Sequence, residues 1–296
     1  SELVLRRIRE QLARAGLYEA RTLPLGPPDA PDAIAVQNPL SAEEAHLRSR
    51  ILPGLVRRVE HNWSIGERDV RLFEVGTVFR PSGRPGVRPS DVPDEQLWLG
   101  AVSTGARRPP HWSDGAKLPD MDIWDLKRHC ELAVDAASPG STVRPVAAGI
   151  GWEAVAADGG VVGWGGPLEA DAPKWAAPLF GLEVRITVAA PPVPRYTPLP
   201  TQPPVLRDLS LVLPPQGVSA AAVGGVLRRV GGTLLERLDV LDEYRGAGIP
   251  EGARGVTWRC TFRDPARTLT EREMDALLGR MLSALEDELG VHRRQT

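Results

Sequence analysis

Apolar residues recur along the chain with two spacings, one of three to four residues and one of two, marking helices and strands in alternation. Val4, Ile8 and Leu12 share one helical face while Arg6, Arg7, Glu10 and Arg14 fall elsewhere, and Gly16 suits the C-cap. Asn38-Pro39 marks a turn, and Ser41 with Glu44 has capping-box spacing for a short helical piece. Pro53 fits the first turn of a further helix that carries Leu55, Val56 and Val59 inward. From Arg71 to Arg80 the spacing drops to two, with Arg71, Phe73, Val75, Thr77 and Phe79 on one face of a strand. The Pro/Gly/Arg/Ser-rich run from Pro81 to Asp94 reads as a loop or hairpin tip. A strand at Leu97–Thr104 and a helix at Met121–Ala136 follow, the helix offering Ile123, Leu126, Cys130 and Val134 to a core. Further strands are expected at Trp152–Ala157, Val161–Trp164 and Leu182–Val188. Gly163-Trp164-Gly165-Gly166-Pro167 reads as a strand-end turn, since no Lys or Ser/Thr follows to make a phosphate cradle. These elements predict a mixed sheet with helices on its faces.

Seven prolines between Ala189 and Pro204 then make a semi-rigid connection. Beyond it the alternation is cleaner. Leu209, Leu211 and Leu213 are expected to face inward and Asp208, Ser210 and Val212 outward. Leu238 and Val240 are expected inward, with Arg237, Asp239 and Leu241 outward. Val256, Trp258, Cys260 and Phe262 fall on one side of a third strand, and Thr257, Arg259, Thr261 and Arg263 on the other. One helix carries Val223, Val226, Leu227 and Val230 and stops at Gly231-Gly232. A second opens with a Thr270/Glu273 capping box and buries Met274, Leu277, Leu278, Met281, Leu285 and Leu289. With Val291–Arg294 as a closing strand the order is βαββαβ, the split-βαβ or ferredoxin-like pattern. The fold class is therefore α+β, in three segments: a mixed/antiparallel-sheet module over residues 1–192, a Pro-rich linker over 193–204, and a βαββαβ domain over 205–296.

Composition narrows the chemistry. Of 296 residues, 42% are hydrophobic and 25% charged, which suits two soluble cores. No run of about 18 apolar residues offers a membrane span, and no signal sequence opens the chain, so a cytoplasmic location is expected. Cys130 and Cys260 lack CxxC spacing, and the five histidines never pair at metal-ligand spacing, so neither disulfide nor metal site is expected. The net charge of −2 gives no global basic field, and residues 197–296 hold 13 arginines and 13 acidic residues. Any nucleic-acid contact must come from a local patch and be salt-sensitive.

Four motifs in the last segment go further: Arg207-Asp208-Leu209-Ser210, Leu241-Asp242-Glu243-Tyr244-Arg245-Gly246, Ile249-Pro250-Glu251-Gly252 and Arg267-Thr268-Leu269-Thr270. In this order and spacing they resemble the ferredoxin-fold anticodon-binding domain of the bacterial phenylalanyl-tRNA synthetase β subunit. Upstream, Asn38-Pro39-Leu40-Ser41, Leu47 to Leu55, Leu72 to Phe79 and Asp122 to Lys127 are similar to the class II synthetase-like, catalytic-like module that precedes that domain. Lacking an initiator Met and beginning directly with a helix, the chain reads as a C-terminal piece of such a β subunit. The resemblance implies a holoenzyme that uses ATP and Mg2+ to attach phenylalanine to its tRNA. It also implies an α-subunit partner in an α2β2 assembly, and no role for DNA. The α contact is expected around Arg48–Asn62 and Arg71–Phe79.

A class II adenylating site needs an arginine with an acidic partner two residues on, and a second arginine in a Gly-rich frame, because a guanidinium bridges phosphate oxygens bidentately. Arg80 stands in the first place, but Pro81 and Ser82 follow it; Arg185 stands near the second without the frame. The first module is thus expected to be non-catalytic and to bind no cofactor itself. In the second, RNA-binding modules of this topology use the open sheet face, where aromatic and guanidinium planes stack on unpaired bases. Arg237 and Arg259 are expected to meet phosphate or bases there, beside Asp208 and Thr257. Tyr244, next to Arg245, is a stacking candidate, and Arg207, Arg254, Arg293 and Arg294 are candidates for the RNA backbone. Leu241 is also expected among the RNA-facing residues; it and Gly255 stand where the family resembled usually has Phe and often Ser. Two rival readings remain: a ferredoxin-like regulatory module that binds a small ligand and no RNA, and a free-standing synthetase-like enzyme.

Overall fold

A computed structural model describes residues 2–82, 92–115, 118–187, 196, 198–215 and 217–294. The chain divides into two compact units, Ser1–Val193 and Pro194–Thr296. The centre of the Pro81–Asp94 loop and most of the Ala189–Thr197 connection, including Pro191, Pro192, Val193 and Pro194, fall outside the described residues.

In the first unit a seven-stranded sheet is sandwiched between helices. Its strands are β1 (Tyr18–Glu19), β4 (Val70–Arg80), β5 (Asp94–Thr104), β6 (Thr142–Pro145), β7 (Trp152–Val155), β8 (Val161–Leu168) and β9 (Leu179–Arg185), in the order β1-β4-β5-β9-β8-β7-β6. β1 runs parallel to β4 and the other neighbours are antiparallel, so the sheet is mixed as predicted. A small pair, β2 (Leu25–Gly26) with β3 (His46–Leu47), stands apart. Strand alternation serves two cores at once. Phe73, Leu99, Ala101, Leu182 and Val184 pack with α1 (Glu2–Arg14) and α3 (Ile123–Ala137). Val70, Val78, Val102 and Leu179 meet α2 (Leu52–Ser64) on the opposite face. Pro53 does sit in the first turn of α2, and Leu126, Cys130 and Val134 are buried on α3.

Three local expectations are corrected. Ala42–Glu44 is a single 3-10 turn, and Ser41 makes no side-chain cap bond; one turn has no further helical amides for a box to serve. The Gly163–Pro167 run lies inside β8 rather than at a strand end. Its glycines are required by close neighbours, since a Cβ at Gly163 would lie 2.7 Å from the Glu183 carbonyl oxygen. The last strand of the unit is Leu179–Arg185, three residues earlier than its apolar run suggested, because pairing with β5 and β8 sets the bounds.

The second unit is a four-stranded antiparallel sheet with two helices on one face. β10 (Val205–Leu213), β11 (Leu235–Tyr244), β12 (Arg254–Phe262) and β13 (His292–Arg293) take the order β11-β12-β10-β13. With α4 (Ala220–Gly231) and α5 (Glu271–Leu289) this is the ferredoxin-like βαββαβ fold. Leu209, Leu211, Leu213, Val256, Trp258, Cys260 and Phe262 pack under Val223 and Leu227 of α4 and Met274, Leu277, Met281 and Leu285 of α5. The Thr270/Glu273 capping box is formed in both directions, and α5 ends on Gly290 in the left-handed conformation. Burial pushes the thiols of Cys130 and Cys260 up to about 12 and about 11, and both are free.

Candidate nucleic-acid interface

The face of the second sheet opposite its helices is open. Register builds it in rows: Arg237–Thr261–Leu206, Asp239–Arg259–Asp208, Asp242–Thr257–Ser210 and Tyr244–Gly255–Val212. Asp208, Thr257, Arg259, Arg237 and Tyr244 are thus brought onto one surface. Leu241 is not part of a row. It is the extra residue of a β-bulge between Val240 and Asp242, a second irregularity lying between Leu235 and Arg237. Alternation holds from Arg237 to Val240, which lies opposite Trp258 on the helix side as predicted, although it is 49% exposed on this edge strand, and it breaks at Leu241.

Two arginines of this face are paired with its carboxylates. Arg259 donates Nε and Nη2 to the two carboxylate oxygens of Asp208 at 2.9 and 2.8 Å, and this pairing holds the Asp208 carboxyl below its ordinary range. Arg237 pairs with Asp239 at 2.7 Å, while Arg245, past the end of β11, pairs at 2.9 Å with Glu243, which lies opposite Val256 on the helix-side parity. The remaining arginine candidates divide between the two sides of the sheet. Arg207 alternates to the helix side and pairs with Glu271 at the start of α5. Arg254 shares Glu243 and donates to the Val218 carbonyl at 3.0 Å. Arg293 lies opposite Leu211, on the helix-side parity, and is exposed. Arg294 continues onto the open-face side, where its guanidinium carbon lies 5.2 Å from the Tyr244 ring centroid.

The first unit shows where its arginines go. Arg80, exposed at the end of β4, lies over Trp98 at 5.8 Å, and Arg185 faces Trp98 across the β5–β9 pair. Nearby, a cleft of about 270 Å3 is lined by Arg50, Arg80, Trp98, Trp164 and Glu183. The carboxylate among its described lining residues, Glu183, is already committed. Glu183 Oε1 accepts the backbone N–H groups of Ile51 and Leu52 at 2.6 and 2.9 Å, and Oε2 accepts Arg50 at 3.0 Å. That carboxylate caps α2 from another strand, in the place a local N-cap would fill. Glu74 is used likewise, accepting Arg48 at 2.7 Å and the N–H and hydroxyl of Thr22 at 3.1 and 2.7 Å. Both glutamates escaped sequence reasoning, although an acidic residue inside the apolar runs Leu72–Val75 and Phe180–Val184 is the signal of a buried, partnered charge. Among the described residues, no group of three or more His, Cys, Asp or Glu is placed to hold a metal ion.

The architecture is that of a two-unit chain whose second unit presents an open, polar βαββαβ sheet. The profile for the phenylalanyl tRNA synthetase beta chain CLM domain matches residues 1–152, and that for the ferredoxin-fold anticodon binding domain matches residues 200–294. The chain belongs to the phenylalanyl-tRNA synthetase β-chain family. It is 34% identical to the phenylalanine–tRNA ligase beta subunit of Moorella thermoacetica over 97% of this chain and 38% of that protein. It is also 34% identical to that of Anaeromyxobacter dehalogenans, with the same coverage of each. The chain thus spans about 38% of the length of these relatives. A pyrrolysyl-tRNA synthetase structure from Desulfitobacterium hafniense superposes on 62% of this chain, and on 65% of its own, at 14% identity and a TM-score of 0.43.

Proposed function

We propose that this chain is the C-terminal part of a phenylalanine–tRNA ligase β subunit, working in the cytoplasm within an α2β2 enzyme. Its first unit supports an α subunit that holds ATP, Mg2+ and phenylalanine. Its second unit binds the anticodon region of phenylalanine tRNA during ATP-dependent aminoacylation. The observation that carries this reading is the open sheet face, where Tyr244, Arg237, Arg259 and Thr257 stand together within a domain matched to the anticodon-binding family. A non-catalytic first unit is supported by Glu183, the carboxylate of the Arg80–Trp98 cleft, being occupied in capping α2. No helix among the described residues is long and apolar enough to cross a membrane.

The test is co-purification with a phenylalanyl-tRNA synthetase α subunit that alone carries the tag, followed by binding to a phenylalanine anticodon stem-loop. Retention through a salt wash and preference over a mismatched loop are expected. Equal binding to both loops would remove the RNA role. Pyrophosphate exchange by this chain alone would remove the non-catalytic assignment.

A further inference from the structure

Beyond the RNA-binding reading and independent of it, we infer that the Arg80–Trp98 cleft of the first unit is a receptor for a small aromatic anion. Its ligand is a flat ring carrying one phosphate or carboxylate. The cleft lies on the α2 side of the sheet, where both of its tryptophans pack against the α2 core. Gly76–Trp98–Arg185 forms one row of the register and Gly100–Glu183–Trp164 the next, so the indoles stand on either side of β9. A volume of about 270 Å3 is small for a ligand pocket and suits a single compact ring system. Both walls are fixed by the protein itself. Trp98 donates Nε1 to Gln96 Oε1 at 3.1 Å. Trp164 rests on Gly166, where a Cβ would lie 2.5 Å from the indole ring. The glycines of β8 thus admit a neighbouring strand at Gly163 and an aromatic wall at Gly166, and both indoles remain only part-buried.

Charge selects the rest of the ligand. The described lining holds two guanidiniums and one carboxylate, and that carboxylate is satisfied by three donors. Arg50 gives Glu183 only its Nε and is 45% exposed, so its terminal N–H groups are open to an acceptor in the cleft. Arg80 lies over Trp98, and Asp94, opposite it in the β4–β5 register, is not part of the lining. By contrast Arg7, Arg9, Arg107, Arg108 and Arg144 all end on carboxylates. A guanidinium stacked on an indole keeps the donors along its edge, in the fork that suits phosphate or carboxylate. A bare anion would leave the indoles uncovered, and a neutral ring would leave the guanidiniums without an acceptor. A ring and an anion on one molecule meet both. With Glu183 committed, the described lining has no carboxylate left for acid–base work, so the role is binding rather than reaction.

The experiment is calorimetric titration of this chain with AMP, 2-naphthoate, adenosine and inorganic phosphate. AMP or 2-naphthoate is expected to bind at least about tenfold more tightly than adenosine or phosphate, the effect of one charge-assisted contact. The tighter of the two distinguishes a nucleotide from an aromatic carboxylate as the source of the ligand. Arg80→Gln, at an exposed strand end, and Trp164→Leu are each expected to weaken that binding about tenfold. Arg144→Gln, on β6 and outside the cleft, is expected to leave it unchanged. Melting temperatures of the variants show that each is folded, and Arg80→Gln alone decides if Trp164→Leu is not. Equal binding of adenosine would reduce the cleft to an apolar crevice, and equal binding of phosphate would reduce it to a plain anion site. Either result overturns the inference, as does undiminished binding by Arg80→Gln or no binding at millimolar ligand. All of these outcomes leave the RNA-binding reading standing.

Discussion

In the first unit, Glu74 and Glu183 lie inside the molecule with side chains 2% and 8% exposed, and each is surrounded by donors. In the second, Asp208, Asp239 and Glu243 lie at the surface, each paired with an arginine that water also reaches. The same ion-pair chemistry thus has different weight. A buried carboxylate that orients a helix cannot be removed without stranding its partners, while an exposed pair is screened and close to neutral for stability. The first unit uses charge to fix its own architecture; the second keeps charge available on a face that meets solvent.

The sharpest way to break that contrast is Glu183→Ala. It leaves the Ile51 and Leu52 amides and Arg50 without their acceptor and is expected to destabilise the first unit by about 3–5 kcal/mol. Urea unfolding would read the loss, and hydrogen exchange at those two amides would locate it. Glu183→Gln, which keeps an acceptor, is expected to lose less than half as much.

Acid should separate the units next. Burial, with the nearby charge of Arg71, lowers the His129 pKa from 6.5 to about 4. The unfolded chain therefore binds a proton that the folded one refuses, and stability falls as pH drops from about 6.5 to about 4. The full effect is about 3 kcal/mol. In the second unit the Arg267 side chain, together with Thr270, lowers Glu273 from 4.5 to about 2. That contribution is complete above pH 4.5 and is lost only between about 4.5 and about 2. Thermal melts at pH 5 should therefore show a weakened first unit and an unchanged second, and His129→Asn should flatten the first unit's profile.

Gly100→Ala sharpens the picture of α2. A Cβ there would lie 2.6 Å from Ile51 Cγ2, so the start of the helix must lift, at about 1–3 kcal/mol by chemical denaturation. Thr270→Ala removes the α5 cap and is expected to cost the second unit about 1 kcal/mol in the same assay. Smallest is Asp208→Asn, expected to change stability by less than about 0.5 kcal/mol. Its signature lies in binding: with Arg259 released from its carboxylate, affinity for the anticodon stem-loop should rise at low salt and fall more steeply as salt is added.

Elements with long apolar periods were legible in the sequence. α1, α2, α3 and α5, the long strand β4 and the alternating strands β10 and β12 all follow from residue spacing, because burial on one face dictates it. β1, β2 and β3 are two-residue pieces that exist only through their partners, and β6 was not expected at all; such strands carry no periodicity of their own. The open face was legible where alternation is unbroken, as in Thr257, Arg259, Arg237 and Asp239, and illegible only from Leu241 onward in β11, where the bulge interrupts it. Pairings across the sheet, such as Arg259 with Asp208, join residues 51 positions apart and depend on register rather than local pattern.

That interruption has a consequence for how the chain tolerates changes in length. Because Leu241 is supernumerary, β11 carries one residue of slack. Loss of a single codon anywhere from Arg237 to Leu241 can be taken up by closing the bulge, leaving Asp242 opposite Thr257 and Tyr244 opposite Gly255. Loss of Glu243 can be absorbed only by moving Leu241 opposite Thr257 and Asp242 opposite Val256, which keeps Tyr244 outward but turns an acidic side chain toward the helices. Relatives differing in length along this strand should therefore have their deletions before Asp242, with the tyrosine still facing outward.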